Sequence, residues 1–472
     1  MITLSTTLSD AQKLMNAPPI WKAVLSRAAQ STRGYDNTRI IKISHKQTPS
    51  SDACVIELDN NDAALSSLDF EHYQAIISYG YNTGVSRSAW VSASAYAVDA
   101  IVRPVTANGY QYRCSAAGTT GASEPTWPTV LGVTVADSAA TWEMNGNSGE
   151  EYARQSPLRV RAQTFQSAQG VLKCVLNPVG IFNQMAEDLA ESKLTYDSAS
   201  TVTAQTLITG INGATLAPYT SYVAYTTTYD STDGIIGTFV PGEYFMININ
   251  DNRFEKSQEL LDYTGCKRRP QNDGAIHVLD PVTTGTAYNY EYKFNVPGDH
   301  NFWSKSTRER FVNPNKEVVK SPDDHSPVYS GSATSATSYA LDPKIHTTER
   351  RLTSTAQASS IASAIIERYE LDAERGFITV PMNVGQELWD WIKVTDSRQN
   401  DTRTGNVQFI QRDVEVHRDD TPLTWTMMIS FGRLTSQSLA LNMVTPQGRS
   451  ITEATARLSN DQIFEMFDAL AD

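Results

Sequence analysis

Residues 384–433, VGQELWDWIKVTDSRQNDTRTGNVQFIQRDVEVHRDDTPLTWTMMISFGR, decide the fold class. Three strands read out of them. LWDWIKVTD, NVQFIQRDVEVH and LTWTMMISFG each alternate bulky and polar side chains, with turns expected at Thr404-Gly405 and from Asp419 to Pro422. The period is two, because successive side chains of a strand point to opposite faces and an antiparallel sheet packs one face while wetting the other. A small β-barrel or sandwich is the economical reading of this stretch.

Upstream, TAQASSIASAIIERYELDA (Thr355 to Ala373) reads as a helix with Ala358, Ile361, Ile365 and Tyr369 along one face. Residues 319–343 are polar and poor in large aliphatics, which predicts a long surface loop or an ordered lid. YNYEYKF alternates, GCKRRPQNDGAIHVLDP reads as a hairpin turning at Asn272-Asp273-Gly274, and FEKSQELLDY reads as a helix ending at Gly265. The Ser/Thr/Gly/Tyr-rich stretch 198–244 fits an exposed β-hairpin arm or a second small domain. Before it, IFNQMAEDLAESKL gathers Ile181, Met185, Ala186 and Leu189 on one side of a helix. Downstream of Leu434 a polar tail closes with SNDQIFEMFDALAD, where Ser459 or Asn460 caps a short helix bearing Ile463, Phe464, Phe467 and Leu470. So short a helix is marginal alone, so it docks either on its own domain or on a partner chain.

The N-terminal residues 1–33 predict one helical segment capped at Ser9, with Leu14, Trp21, Leu25 and Ala28 as its apolar stripe, broken or restarted at Pro18-Pro19. Strands follow: RIIKIS, ACVIELDNND and YQAIISYGY. The Asp59-Asn60-Asn61-Asp62 cluster lacks the Gly and Glu of a calcium loop and reads as a solvated turn. After Tyr81 the composition shifts, then strands resume at SPLRVRAQTFQS and GVLKCVLNPVG. That interruption marks an inserted module whose two ends lie close together.

The chain is therefore read as mainly β with a few helices, a β-rich α+β multidomain protein. The expected units are an N-terminal barrel (1–85 with 149–180), a small inserted all-β module (86–148), a helix plus β arm (181–265), an α+β domain with the polar loop (266–345), a helix plus C-terminal barrel (346–435) and a tail (436–472). The two barrels form a weak internal repeat: RVRAQTFQSAQGVLKCVLNPVG and VQFIQRDVEVHRDDTPLTWTMMISFG are each a strand, a polar turn, a strand and a glycine. Three copies of such a chain present six near-equivalent units around an axis.

Bulk properties narrow the function. A length of 472 residues is more than one core usually organises, and a net charge of -13 argues against stable nucleic-acid binding or an anionic membrane surface. Cys54, Cys114, Cys174 and Cys266 are scattered, with no zinc-ligand spacing, and read as buried thiols. No apolar run approaches the roughly 20 residues of a membrane helix, and the N-terminus lacks the basic start and apolar run of a signal peptide. There is no Walker loop, GxGxxG, GxSxG or HExxH, and His45, His72, His277, His300, His325, His346 and His417 stand singly. No catalytic residue, metal or cofactor is expected, and no enzymatic role. Adjacent acids such as Glu187-Asp188 and Asp323-Asp324 are ordinary turn residues, whereas a glycosidase needs two carboxylates converging across a sugar.

The insert supplies the candidate site. Aromatic rings stack on sugar rings through their apolar faces, and Trp90, Tyr96, Tyr110, Tyr112, Trp127 and Trp142 are dense for so short a piece. Most rings in so small a module form its core. Trp127, in SEPTWP, is the one best placed for exposure, because prolines hold it in a loop.

Several segments carry a resemblance: GVLKCVLNPVGIFNQMAEDLA, LLDYTGCKRRPQNDGAIHVLDP and VPMNVGQELWDWIKVTD with GNVQFIQRDVE. In texture and order they resemble the baseplate hub or tail-associated proteins of long-tailed bacteriophages, over most of the chain outside the insert. The resemblance implies a homotrimer at the tail tip of the virion. Two tail-tube-like barrels per subunit would then form a pseudo-hexameric ring that continues the tube as a conduit for DNA ejection. The implied partners are a distal tail protein or tail-tube ring, a tape measure protein, and tip or fibre proteins. The insert, with GASEPTW at 121–127 and TWE at 141–143, resembles small chitin-binding-type carbohydrate modules of phage tails, but has Val98-Asp99 where they carry Gly-Asp. It implies host-surface polysaccharide as a ligand, with Trp90, Tyr110, Tyr112, Trp127 and Trp142 as the contact residues. The alternatives to a structural hub are an adhesin acting through this module and a cell-wall or capsule hydrolase.

Overall fold

The chain's computed structural model describes residues 1–14, 16–168, 170–308, 312–323, 326–373, 375–416 and 423–431. The expected docking helix with Ile463, Phe464, Phe467 and Leu470 lies outside the described residues.

The mainly β character with a few helices holds. One mixed sheet organises the chain. Its order runs Arg33–Asp36, Pro19–Ser26, Gln74–Val85, Leu158–Ala168, Val171–Val179, Asp52–Asp59, Ile40–Gln47, Asp401–Glu415, Thr424–Phe431, Arg375–Pro381, Ser304–Arg308. Gly149–Arg154 joins the flank of Gln74–Val85, while Trp391–Asp396 pairs with Asp401–Glu415 and carries Tyr290–Lys293 in parallel beside it. Strand texture follows from alternation: Asp52–Asp59 buries every second residue.

The two expected barrels are corrected by this order. No sheet closes on itself among the described residues, and the N-terminal and C-terminal halves share one sheet. The reason is the length of Asp401–Glu415. One edge pairs Trp391–Asp396 along its first part (Asp396↔Asp401 to Trp391↔Asn406) and Ile40–Gln47 along its last (Ile410↔Gln47 to Glu415↔Lys42). A single hydrophobic core follows, running from Trp21, Ile43, Ile56, Ile77 and Val160 to Ile378, Ile392, Ile410, Val414 and Ile429.

Four further expectations change. Trp21 and Leu25 sit in the strand Pro19–Ser26, and the helix is short, Thr6–Ala11, capped by the Ser5 side chain rather than Ser9. The helix ends at Ala11, with Gln12 as its C-cap, well before Pro18-Pro19, and both faces of the strand from Pro19 are covered, leaving no alternation to read. The turn expected at Thr404-Gly405 lies earlier, between Asp396 and Asp401, where Asn400 takes φ 49° and the Asp396 carboxylate accepts from the Arg398 amide at 3.1 Å. Residues 198–244 form no hairpin arm. Thr203 caps the helix Ala204–Asn212, and Thr227–Ser231 runs parallel to Ile276–Leu279, which pairs in turn with Lys267–Pro270 across the expected turn at Gly274. Within the polar stretch 319–343, Ser330–Thr334 is a strand and Ala336–Leu341 a helix, where a loop or lid is expected.

A second core lies off the sheet. Helices Ala204–Asn212, Arg253–Leu261 and Thr355–Ala373 bring Leu207, Ile208, Leu260, Ile361 and Ile365 together with Val278 and Val319. Arg253 is fully buried here. It donates to the carbonyls of Ile211, Asn212 and Val223 and pairs with Asp188 at 2.8 Å, and at Asp188 the helix Ile181–Glu187 gives way to extended chain.

Where the halves meet, Arg412 is fully buried, donating to Gln47 Oε1 at 2.6 Å and to the Gln386 carbonyl. Gln47 passes the contact on to Asp52, which also accepts from Ser156 and faces His45. Above it Trp425 packs against Trp21, Tyr79 and Tyr81 and donates to Tyr81 Oη at 2.8 Å. Arg412→Ala leaves these acceptors unmatched around a cavity, a loss of about 3 kcal/mol or more. The expected outcome is a lower urea midpoint reported together by probes in both halves, and an unchanged midpoint refutes the seam's role.

Candidate functional site

The inserted module is the loop of one long hairpin. Gln74–Val85 and Gly149–Arg154 pair antiparallel, from Ser78↔Arg154 up to Val85↔Gly149, so the chain leaves and re-enters the sheet at adjacent points. The approach is close: a Cβ on Gly80 would stand 1.9 Å from the Glu151 carbonyl oxygen, so only glycine fits there. Inside the module four strands run in the order Thr134–Asp137, Ala140–Asn147, Tyr110–Ala116, Ile101–Val102.

The predicted sugar-contact rings divide by burial. Trp90, Tyr112 and Trp142 are buried with Val102, Cys114 and Met144 and form the module's core, which corrects their reading as surface contacts. They fill it because so small a unit has few other large apolar groups to bury. Tyr110 and Trp127 are half-buried on this cluster, as is Tyr96. Trp127 lies 4.2 Å, centroid to centroid, from Tyr112 and 5.9 Å from Trp142, and its indole N–H donates to Glu124 at 2.8 Å. Glu124 Oε1 also accepts from the Val105 amide at 2.7 Å, which ties the SEPTWP loop to the module.

Sequence reasoning missed the residue that organises this core. Asp137 is buried, and one carboxylate oxygen accepts from the indoles of Trp90 at 2.8 Å and Trp142 at 2.9 Å, while the other accepts from the Gly121 amide at 2.8 Å. The only local signal is an Asp opening the tight turn between two strands, where Ser138 takes φ 57°. Also missed is Lys22, nearly fully buried in Pro19–Ser26, which donates to the Asn145 carbonyl and, at 2.7 Å, to Asn145 Oδ1 in the insert. Its ammonium stands 4.1 Å over the Tyr152 ring, and burial lowers its pKa to about 7. A buried lysine on the sheet therefore fixes the module's inner end.

The basic run Lys267-Arg268-Arg269 is buried as well. Arg269 donates to the Leu388 carbonyl and to Asp390, and the Trp389 indole donates to the Arg268 carbonyl at 3.1 Å, joining the second core to the sheet. Burial lowers the Arg268 pKa to about 9. All four cysteines are free and buried. Among the described residues no helix is long and apolar enough to cross a membrane, and no group of three or more His, Cys, Asp or Glu side chains is placed to hold a metal ion.

No protein-family model and no curated protein matches the chain. Among solved structures, the tail protein from Neisseria meningitidis MC58 aligns with a TM-score of 0.52 at 7% identity, over 88% of this chain and 96% of that one. The 43 kDa tail protein of prophage MuSo2 from Shewanella oneidensis aligns at 0.46 and 12% identity, covering 87% and 98%. Prophage tail protein gp18 from Listeria monocytogenes EGD-e aligns at 0.46 and 10%, covering 93% and 98%. The Neisseria protein shares the fold of nearly the whole chain.

Asp137→Ala strands two indole N–H groups and one backbone amide inside the insert, at about 1–3 kcal/mol each. Limited proteolysis is expected to cut the variant within residues 86–148 while the flanking sheet resists. Resistance equal to that of the unaltered protein rules out the clamp.

Proposed function

We propose that the chain is a structural component of a phage-type tail, a hub at its tip in which three copies surround an axis. The observation that carries this reading is the fold shared with a tail protein over most of the chain; a shared fold alone is analogy, so the remaining support must come from the chain's own design. That design is a sheet whose two halves each contain a hairpin of the same kind, Leu158–Ala168 with Val171–Val179 and Asp401–Glu415 with Thr424–Phe431. Two joined half-sheets take the place of the two separate barrels, and three chains then offer six similar walls to a tail-tube ring and three sites to a tip or fibre protein. An acidic chain suits a conduit for DNA, since like charge discourages adhesion of the passing duplex. The distal tail or tube ring and the tape measure protein are the neighbours on the tube side, and the role is mechanical rather than catalytic.

Purified tail particles are expected to contain the chain in multiples of three by quantitative mass spectrometry, with threefold density at one end in particle images. Absence from particles, or a single copy per particle, overturns the proposal.

A second reading concerns the insert alone: host-surface polysaccharide binding. The half-buried rings of Trp127 and Tyr110, seated on a rigid aromatic core, favour it. Trp127→Ala should then weaken retention on host-envelope polysaccharide about tenfold or more while particles still assemble; undiminished retention removes this reading.

A further inference from the structure

A crevice of about 650 Å³ opens between the helical body and the sheet, within the size range of ligand sites and at the kind of domain boundary where they occur. Its walls are aromatic and polar, with Lys267, Arg268 and Arg368 outnumbering the one carboxylate, Asp262. Phe254 and Arg368 come from the helices Arg253–Leu261 and Thr355–Ala373, Arg268 from the strand Lys267–Pro270, and Trp389, Gln408 and Phe409 from the sheet side. Arg268 lies over the Phe254 ring at 4.1 Å and is held by neutral acceptors, Ser257 Oγ at 2.7 Å and the Phe254 carbonyl at 3.0 Å. Arg368 pairs with Asp262 at 2.8 Å.

Two groups in this lining are incomplete. Arg268 Nε and Gln408 Oε1 are buried with no hydrogen-bond partner among the described residues, on side chains 2% exposed in each case. Both atoms lie in the wall behind the crevice surface, so the packing between the helical body and the sheet is polar and incompletely matched there. The bulge between Val407 and Phe409 is what turns Gln408 out of the regular ladder.

The sequence holds a segment of matching chemistry, and the described chain stops beside the crevice. Phe431 pairs with Val407, and Ser430 with Phe409, so the strand leading into residues 432–472 runs along the crevice wall. Residues 459–472, SNDQIFEMFDALAD, carry Asp461, Glu465, Asp468 and Asp472 with no Lys or Arg, and interleave them with Ile463, Phe464, Phe467 and Leu470. Residues 432–458 reach about 90 Å when extended, so distance sets no limit.

We propose that this crevice receives the chain's own acidic segment 459–472. Phe464 and Phe467 enter between Phe254, Trp389 and Phe409, and the segment's carboxylates lie at the rim beside Arg368. The docked segment then braces the helical body against the sheet, and this stands whether or not the protein is a tail hub.

The test uses the full chain with one cysteine at each side, Gln258→Cys and Ala469→Cys, and a short bismaleimide; the four native thiols are buried and stay silent. An intramolecular cross-link is expected in high yield, falling tenfold or more when Phe464→Ala and Phe467→Ala are added. Three results overturn the proposal: no cross-link, a yield indifferent to the two phenylalanines, or links formed chiefly between isotopically labelled and unlabelled copies, which would give the crevice to a second chain. Hydrogen exchange read on the unlinked protein supplies the second measurement. Amides of 254–268 and 404–411 should exchange about tenfold faster in the Phe464→Ala/Phe467→Ala chain, and identical protection counts against docking.

Discussion

The pairing of Ile40–Gln47 with Asp401–Glu415 holds the molecule together. It joins strands that stand at opposite ends of the sequence, and without it each half presents a long open strand edge, a template for unwanted pairing. Side chains reinforce the ladder along its length. Ser44 donates to Asp413 at 2.7 Å, Lys42 stands 3.5 Å from Glu415, and Arg412 beneath them reaches Gln47. Loop closure over so many residues is entropically costly, and the return is a single core in place of two small ones. Neither half has a complete core of its own, so the sheet is expected to form as one cooperative unit.

The same seam sets where function can reside. Because the halves share a rigid sheet, the module between Val85 and Gly149 projects from a fixed platform, with Lys22 holding Asn145 at its inner end. Most of the module's aromatic surface is spent on its own core through Asp137, which leaves the half-buried rings and the SEPTWP loop at its surface. The second core is tied to the platform by the run Lys267-Arg268-Arg269, where a side chain of each body donates to a backbone carbonyl of the other.

Local alternation was readable and long-range pairing was not. Asp52–Asp59, Trp391–Asp396 and Thr355–Ala373 carry their periods in plain sight, since one face of each is buried and the other is not. Pro19–Ser26 defeated that logic because it is buried on both faces, and its apolar residues then satisfy a helical spacing as well as a strand. The hairpin at 267–279 was legible from Asn-Asp-Gly, whereas the turn at 397–400 carries no glycine and relies on Asn400 in the left-handed region and on Asp396. Two barrels were inferred from two similar hairpins, which both exist; what the sequence does not encode locally is that their neighbouring strands meet edge to edge. Asp137 and Lys22 were illegible for a related reason: a charged residue in a turn or strand looks solvated until its distant partners are known.

The buried arginines share one physical task. Where two bodies of irregular chain meet, backbone carbonyls are shut away from water and must still be matched. Arg253 serves the carbonyls of Ile211, Asn212 and Val223, Arg412 that of Gln386, Arg269 that of Leu388, and Arg268 that of Phe254. A planar group with five donors in a fixed fork can serve more acceptors at once than any other side chain. The cost of burying the charge is visible in the lowered pKa of Arg268 and Arg412. It is offset because the alternative, several carbonyls with no donor, is worse. Arginine in this fold is therefore less a surface charge than a fastener between domains, and this explains how a chain of net charge -13 spends some of its cations on its own backbone.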